Sequence, residues 1–194
     1  MCTLSLIPRR GQRPGALGAI STSPPSGMWR LMVNRDEQRS RPAALPPRSV
    51  RCGSRRAMMP IDPASGGTWV GVNDAGLAAV ILNATAPRSG PLTGAAPKLV
   101  PHAGGPPLSR GVIIPRLLAE DSLDQALGVA LALDAARWPR FRMLLVEASH
   151  FALITSDGIA LSTPGLIEID EPLMLASSGL GDELVQRPRR TEFE

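Results

Sequence analysis

Strand-type alternation occupies both ends of this 194-residue chain and brackets one helical stretch, and that order leaves few folds open. Thr3-Leu4-Ser5-Leu6-Ile7 alternates polar and apolar residues, the period-two signature of a strand with one buried face. Trp29-Arg30-Leu31-Met32-Val33 repeats the pattern, with Trp29, Leu31 and Val33 on one side. Residues 66–72 and 77–82 read as two more strands. Asn73-Asp74-Ala75-Gly76 between them is tight-turn chemistry and predicts a hairpin. From Ser109 the spacing turns helical, with Ile113, Ile114, Leu117 and Leu118 on one stripe, and Pro115 inside it predicts a kink or a late start. Ser122-Leu123-Asp124-Gln125 is a capping box opening a second helix, whose apolar face is Leu123, Leu127, Ala130 and Leu131. Strands return over 141–147, 151–155, 159–161, 166–170 and 173–176, with Asp157-Gly158 marking a tight turn. Strands, two helices and strands again predict an α+β domain, the helices covering a largely antiparallel sheet or pair of sheets. Residues 8–28, 38–65 and 84–108, rich in Pro, Gly and Arg, read as loops.

Composition removes several functions. With three Trp, three Phe and no Tyr the chain has few platforms on which bases could stack, so nucleic acid is not an expected partner. Nearly all of the positive charge is arginine, Lys98 being the only lysine, and Ala, Pro and Gly are also plentiful. That is the bias of a GC-rich genome before it is a sign of acidic partners. Cys2 and Cys52 are too few for a disulfide framework, and His102 and His150 lie outside zinc-ligand spacing. No metal or cofactor is therefore expected. No apolar run reaches the ~18 residues of a membrane span, and a secretory signal is missing, so the expected location is the cytoplasm.

Cys2 directly follows the initiator methionine, and a side chain that small permits methionine removal. The mature chain would then carry a thiol and a free α-amine on one carbon, a nucleophile with its own base. An α-amine of pKa ~7.7–8.0 is roughly 15% neutral at neutral pH, whereas a lysine of pKa ~10.4 is neutral well under ~0.1% of the time. The thiol, near ~8.5, gains from a base beside it. Cys52 lies in a loop-like stretch and reads as an inert thiol.

The second strand runs into Asn34-Arg35-Asp36-Glu37, a dense polar strand end. Alternation turns Arg35 and Glu37 one way and Asn34 and Asp36 the other. One pair meets Cys2 if this strand lies beside the first; otherwise the tetrapeptide is a solvated strand end with a salt bridge. A cation there would favour thiolate, and a carboxylate would orient the amine.

Met1-Cys2-Thr3-Leu4, Asn34-Arg35-Asp36-Glu37 with Arg41-Pro42 after it, and Gly66-Gly67-Thr68-Trp69-Val70-Gly71-Val72 occur here in that order. In this the chain resembles the NRDE family, also called the transport and Golgi organisation family. Ser109-Arg110-Gly111 and Ser177-Ser178-Gly179-Leu180-Gly181 before Arg187-Pro188-Arg189 are similar to its bacterial branch. The resemblance covers nearly the whole chain as one domain, 1–194. It implies an N-terminal-nucleophile hydrolase-like αββα sandwich, two antiparallel sheets between helix layers. It also implies more strand and helix than fits before Glu194, so a shortened C-terminus is expected.

By the same resemblance Cys2 is the nucleophile, with Arg35 and Asp36 as the charged pair and Asn83 as the oxyanion donor. Asn83 also suits a strand-ending turn. Asn34 and Glu37 are candidate substrate contacts. Trp69 either walls an apolar pocket beside Gly66-Gly67 or belongs to the core. Arg110 either holds a substrate carboxylate or phosphate or caps a helix near Ser109. The expected function is hydrolysis of linear amide bonds in a small-molecule or amphipathic ligand. The alternative is a non-catalytic carrier, the resemblance extending to haem trafficking, with Cys2 as ligand or relic.

Overall fold

The computed structural model describes residues 2–8, 29–35, 40–85, 108–178 and 182–193. Strands β1 (Cys2–Pro8), β2 (Trp29–Arg35), β3 (Leu45–Cys52), β4 (Arg55–Ile61), β5 (Val70–Asn73) and β6 (Ala78–Asn83) come first. Helices α1 (Ile113–Leu117) and α2 (Leu123–Leu131) follow. Then come β7 (Phe141–Glu147), β8 (His150–Ser156), β9 (Leu161–Ser162), β10 (Leu166–Glu168), β11 (Leu173–Ser177) and helix α3 (Asp182–Phe193). The fold is mixed α+β and its strand pairs are antiparallel.

The described strands form two sheets. One has three strands, in the order β11-β1-β2, and the other has eight, running β10-β8-β7-β6-β5-β4-β3 with β9 against β8. Period-two alternation gives the large sheet two apolar faces. Ala79, Ile81, Met143 and Leu145 meet Ile113, Ile114, Leu117 and Leu118 of the first helical stretch and Leu123, Ala126 and Ala130 of α2. Ala78, Val80, Leu82, Leu144 and Val146 instead meet Leu4 and Leu6 of β1 and Leu175 of β11. On β1, therefore, Cys2, Leu4 and Leu6 point between the sheets, and Thr3 points away. Arg189 of α3 donates to the Thr3 hydroxyl, which puts α3 on the outer face of the small sheet. The layers run helix, small sheet, large sheet, helices.

Local chemistry explains the boundaries. Pro115 falls in the first turn of α1, where a missing N–H is tolerated, and a short 3-10 turn at Arg110–Val112 precedes it. Ser122 Oγ accepts from the Gln125 N–H at 3.3 Å, as the capping box predicts, while Gln125 Oε1 reaches back one residue further, to the Asp121 N–H at 3.0 Å. Leu131, expected on the buried face of α2, is instead exposed, because Leu123, Ala126 and Ala130 fill the contact with the sheet. At the β5–β6 turn Asn73 accepts from the Ala75 and Leu77 N–H groups, both at 3.0 Å. It also donates to the Leu118 and Glu120 carbonyls at 3.2 and 2.9 Å, tying the hairpin to the end of α1.

The strand expected over residues 66–72 begins only at Val70, its glycines forming the approach to it, and two further points differ from the sequence reading. Residues 38–65 are not one long loop, since β3 and β4 form a hairpin there that ends with buried Cys52. Pro46 and Pro47 hid it, yet β3 is the outer strand of its sheet, where a missing N–H breaks no ladder, and the register shifts beside them between Leu45 and Arg48. The second correction is α3, unforeseen because Pro188 sits inside it. The Asp182 carboxylate, buried at its start, accepts from the Ser178 N–H at 2.9 Å and the Thr85 N–H at 3.2 Å. It also pairs with Arg142 at 3.5 Å. That carboxylate clasps the ends of β6, β7 and β11 together, and β11 in turn lies along β1.

Candidate functional site

Where β1 meets the end of β6, the two sheets leave a cleft of about 340 Å³. Its position follows from register. Cys2 is directly opposite Arg35 on β2 and Ser177 on β11, so these three side chains share a face. Directly opposed residues of an antiparallel pair have Cα atoms ~4.5–5.5 Å apart. Cys2 is half-exposed at the cleft, and Arg35, Trp69, Asn83 and Arg110 line it too. Five residues singled out in the sequence thus come together from β1, β2, the approach to β5, the end of β6 and the turn before α1.

The remaining candidates do not join them. Asn34 is exposed and, by alternation, on the opposite face of β2, where it pairs with Thr3. Asp36 and Glu37 lie outside the described residues. Cys52 is buried in the helix-side core, and burial pushes its thiol above the usual value.

The acid that the sequence did not reveal is Asp62, buried just past the end of β4. Arg35 Nη2 donates to Asp62 Oδ2 at 2.9 Å, and Arg41 Nη2 donates to the same oxygen. The Ala64 N–H donates to Oδ1 at 3.0 Å, an Asx turn. Burial works against the Asp62 charge, but the hydrogen bond from Arg41, the Ala64 N–H and the charges of Arg41 and Arg35 outweigh it. Together they hold the carboxyl below the usual carboxylate range. The signal for Asp62 was faint: an acid before Pro63, two residues from the Ala64 N–H it would accept, in a segment read as loop. Asp62 fixes Arg35 from one side, and the Trp69 ring lies under its guanidinium at 4.3 Å on the other. Trp69 is both wall and core, since it also packs against the helix-side cluster.

Arg110 is placed by glycines. A Cβ on Gly67 would lie 2.7 Å from the Gly111 carbonyl carbon, and one on Gly111 would lie 2.9 Å from the Thr68 nitrogen. The two main chains touch there, and the Thr68 N–H donates to the Gly111 carbonyl at 3.0 Å. This contact explains why Gly66-Gly67-Thr68 and Ser109-Arg110-Gly111 are both present. Arg110 Nη1 donates to the Arg140 carbonyl at 2.6 Å. Burial pulls the guanidinium below the usual arginine value, and the charge of Cys2 opposes that pull. Among the described residues no group of three or more His, Cys, Asp and Glu converges as a metal site would require. The cleft can offer a thiol, three guanidinium groups, the Asp62 carboxylate, an amide donor and an apolar wall.

An antiparallel α+β fold whose first strand delivers a cysteine to a cation-lined cleft is the class that fold and site define. A family model, Transport and Golgi organisation 2, matches residues 19–188, and the chain belongs to that family. The matched span begins after Cys2 and includes Arg35, Asp62, Trp69, Asn83 and Arg110. No curated protein matches the chain. The chain is also similar to the solved structure of a penicillin V acylase from Agrobacterium tumefaciens, at 14% identity and a TM-score of 0.38. That alignment covers 88% of this chain and 44% of the acylase, so the chain spans under half of the acylase's length. No helix among the described residues is long and apolar enough to cross a membrane.

Proposed function

We propose that this protein is an N-terminal-cysteine hydrolase of linear amide bonds, built on an N-terminal-nucleophile hydrolase-like αββα fold. The supporting observation is the meeting of Cys2 with Arg35, Asn83 and Arg110 in one cleft. Removal of Met1 frees the Cys2 α-amine. The amine takes the thiol proton as Sγ attacks the amide carbon, and the negative charge moves to the carbonyl oxygen. The Asn83 side-chain N–H stabilises that oxyanion, a contribution of ~3–4 kcal/mol for one well-placed donor. The C–N bond then breaks, the α-ammonium returns the proton to the leaving nitrogen, and a thioester remains on Cys2. Water attacks the thioester with the same amine as base, releasing the carboxylic acid and the thiol. Arg35, pinned by Asp62 and Trp69, lines the cleft opposite Cys2 and can hold a polar group of the substrate there. Asp36 is proposed as the carboxylate that orients the α-amine.

Intact mass reports the first requirement, a chain lacking Met1. A panel of N-acyl amides then reports turnover by the wild type and by Cys2→Ala, Cys2→Ser and Asn83→Ala. The expected result is hydrolysis abolished by Cys2→Ala and reduced about 100-fold by Asn83→Ala. Retention of Met1, or undiminished turnover by Cys2→Ala, refutes the mechanism. Binding of an amphipathic ligand without turnover in the processed wild type would favour the carrier alternative.

A further inference from the structure

Resting on the amide-hydrolase reading, we propose that the cleft selects amides that carry a carboxylate, and that Arg110 is the residue that binds it. Of the three arginines that line the cleft, Arg35 and Arg41 both pair with Asp62. Arg110 differs. Its described hydrogen-bond partner is a neutral acceptor, the Arg140 carbonyl, which engages one of its five N–H donors. The planar fork that remains suits a carboxylate.

Chemistry at Cys2 makes that vacancy matter. Cys2 and Arg110 line the same cleft, where a thiolate at Cys2 would support the Arg110 charge. Forming a thioester would remove that support from a half-buried cation whose described partner is a neutral carbonyl. A substrate that brings its own carboxylate keeps the site neutralised through the acyl-enzyme stage. Ile81, Leu82 and Leu108 provide an apolar wall in the same cleft, so the substrate class is an apolar acyl chain joined to an anionic group. The main chain that carries the arginine is fixed at Gly67 and Gly111, and its side chain is tethered to the Arg140 carbonyl.

Two reagents of nearly equal size read the charge preference without needing turnover: iodoacetate, an anion, and iodoacetamide, its neutral counterpart. Each alkylates a thiolate with loss of iodide, and peptide mapping separates Cys2 from Cys52. The iodoacetate-to-iodoacetamide rate ratio at Cys2 is expected to be about 10-fold higher in the folded protein than in the urea-unfolded chain, the factor one charged hydrogen bond contributes. Arg110→Gln should return the ratio to the unfolded value, and Arg110→Lys should keep most of it. Equal ratios in folded and unfolded chains, a ratio unmoved by Arg110→Gln, or a Cys2 inert to both reagents would each overturn the proposal. N-decanoylglycine against N-decanoylglycinamide tests turnover separately. Cleavage of both at equal kcat/KM with no alkylation preference sinks the carboxylate selectivity and leaves the hydrolase. A clear alkylation preference with neither amide cleaved supports the anion site and sinks the hydrolase.

Discussion

Replacing Asp62 by Asn removes one negative charge and leaves the shape of the site nearly unchanged. The Asp62–Arg35 pair is well shielded, with side chains 6% and 14% exposed and a 2.9 Å contact. A charge-assisted hydrogen bond of that kind contributes about 1.5–3 kcal/mol. The Arg41 side chain is 36% exposed, so solvent screens its share to about 1 kcal/mol or less. The Ala64 bond survives, because an Asn oxygen still accepts. The expected loss at neutral pH is therefore about 2–4 kcal/mol, measured by urea unfolding with Trp fluorescence, Trp69 lying against the affected Arg35. Its pH dependence has a definite sign. The folded-state pKa of Asp62 is lowered, so its contribution is complete above the unfolded value of ~3.9 and is lost as pH falls through the folded value. The gap between wild type and Asp62→Asn should thus be constant around neutrality and close in strong acid. A neutral-pH difference under about 0.5 kcal/mol, the size of an ordinary surface substitution, would falsify the assignment of Asp62 as the anchor of the arginines. A gap that persists into strong acid would show that the loss came from packing instead of charge.

Other perturbations separate the parts of the frame. Asn73→Ala deletes four hydrogen bonds at 2.9–3.2 Å, two inside the β5–β6 turn and two from it to the residues ending α1, and should cost about 3 kcal/mol by chemical denaturation. A cost under about 1 kcal/mol would mean that water replaces those partners. Gly111→Ala drives a Cβ to 2.9 Å from the Thr68 nitrogen, a main-chain atom that cannot swing aside, and should destabilise by about 1–3 kcal/mol. Its thermal midpoint should fall accordingly, and an unchanged midpoint would count against the backbone contact. Gly128→Ala is the opposite case, with no atom within 4 Å of the added Cβ in the interior of α2. It should raise stability by about 0.5–1 kcal/mol, and a lowered midpoint would contradict the open space there.

How much of this could be read in advance varied with the physics of each segment. Alternation set out β1, β2 and β7 because each buries one face or both in a continuous sheet, and β7 runs over the residues expected, Phe141–Glu147. The 73–76 turn was plain from its residue types. The β3–β4 hairpin was not, because an outer strand can carry prolines and arginines that a central strand could not. Within the site, Cys2, Arg35, Trp69, Asn83 and Arg110 could be chosen as types in a pattern, but nothing local said they would meet. Their convergence depends on the Cys2–Arg35 and Cys2–Ser177 registers, contacts across long stretches of chain. Asp62 escaped because its role is set by arginines on β2 and beyond, a relation that one-dimensional spacing does not carry.

Because β1 lies between β2 and β11, one of its edges stays open during synthesis until Ser177 has left the ribosome. β1, early in the sequence, is therefore among the last strands to gain both neighbours. If Met1 is removed as proposed above, that step would have its opening before β1 gains its second neighbour. Completion of the small sheet thus waits on contact between residues 2 and 177, the longest-range strand pairing among the described residues.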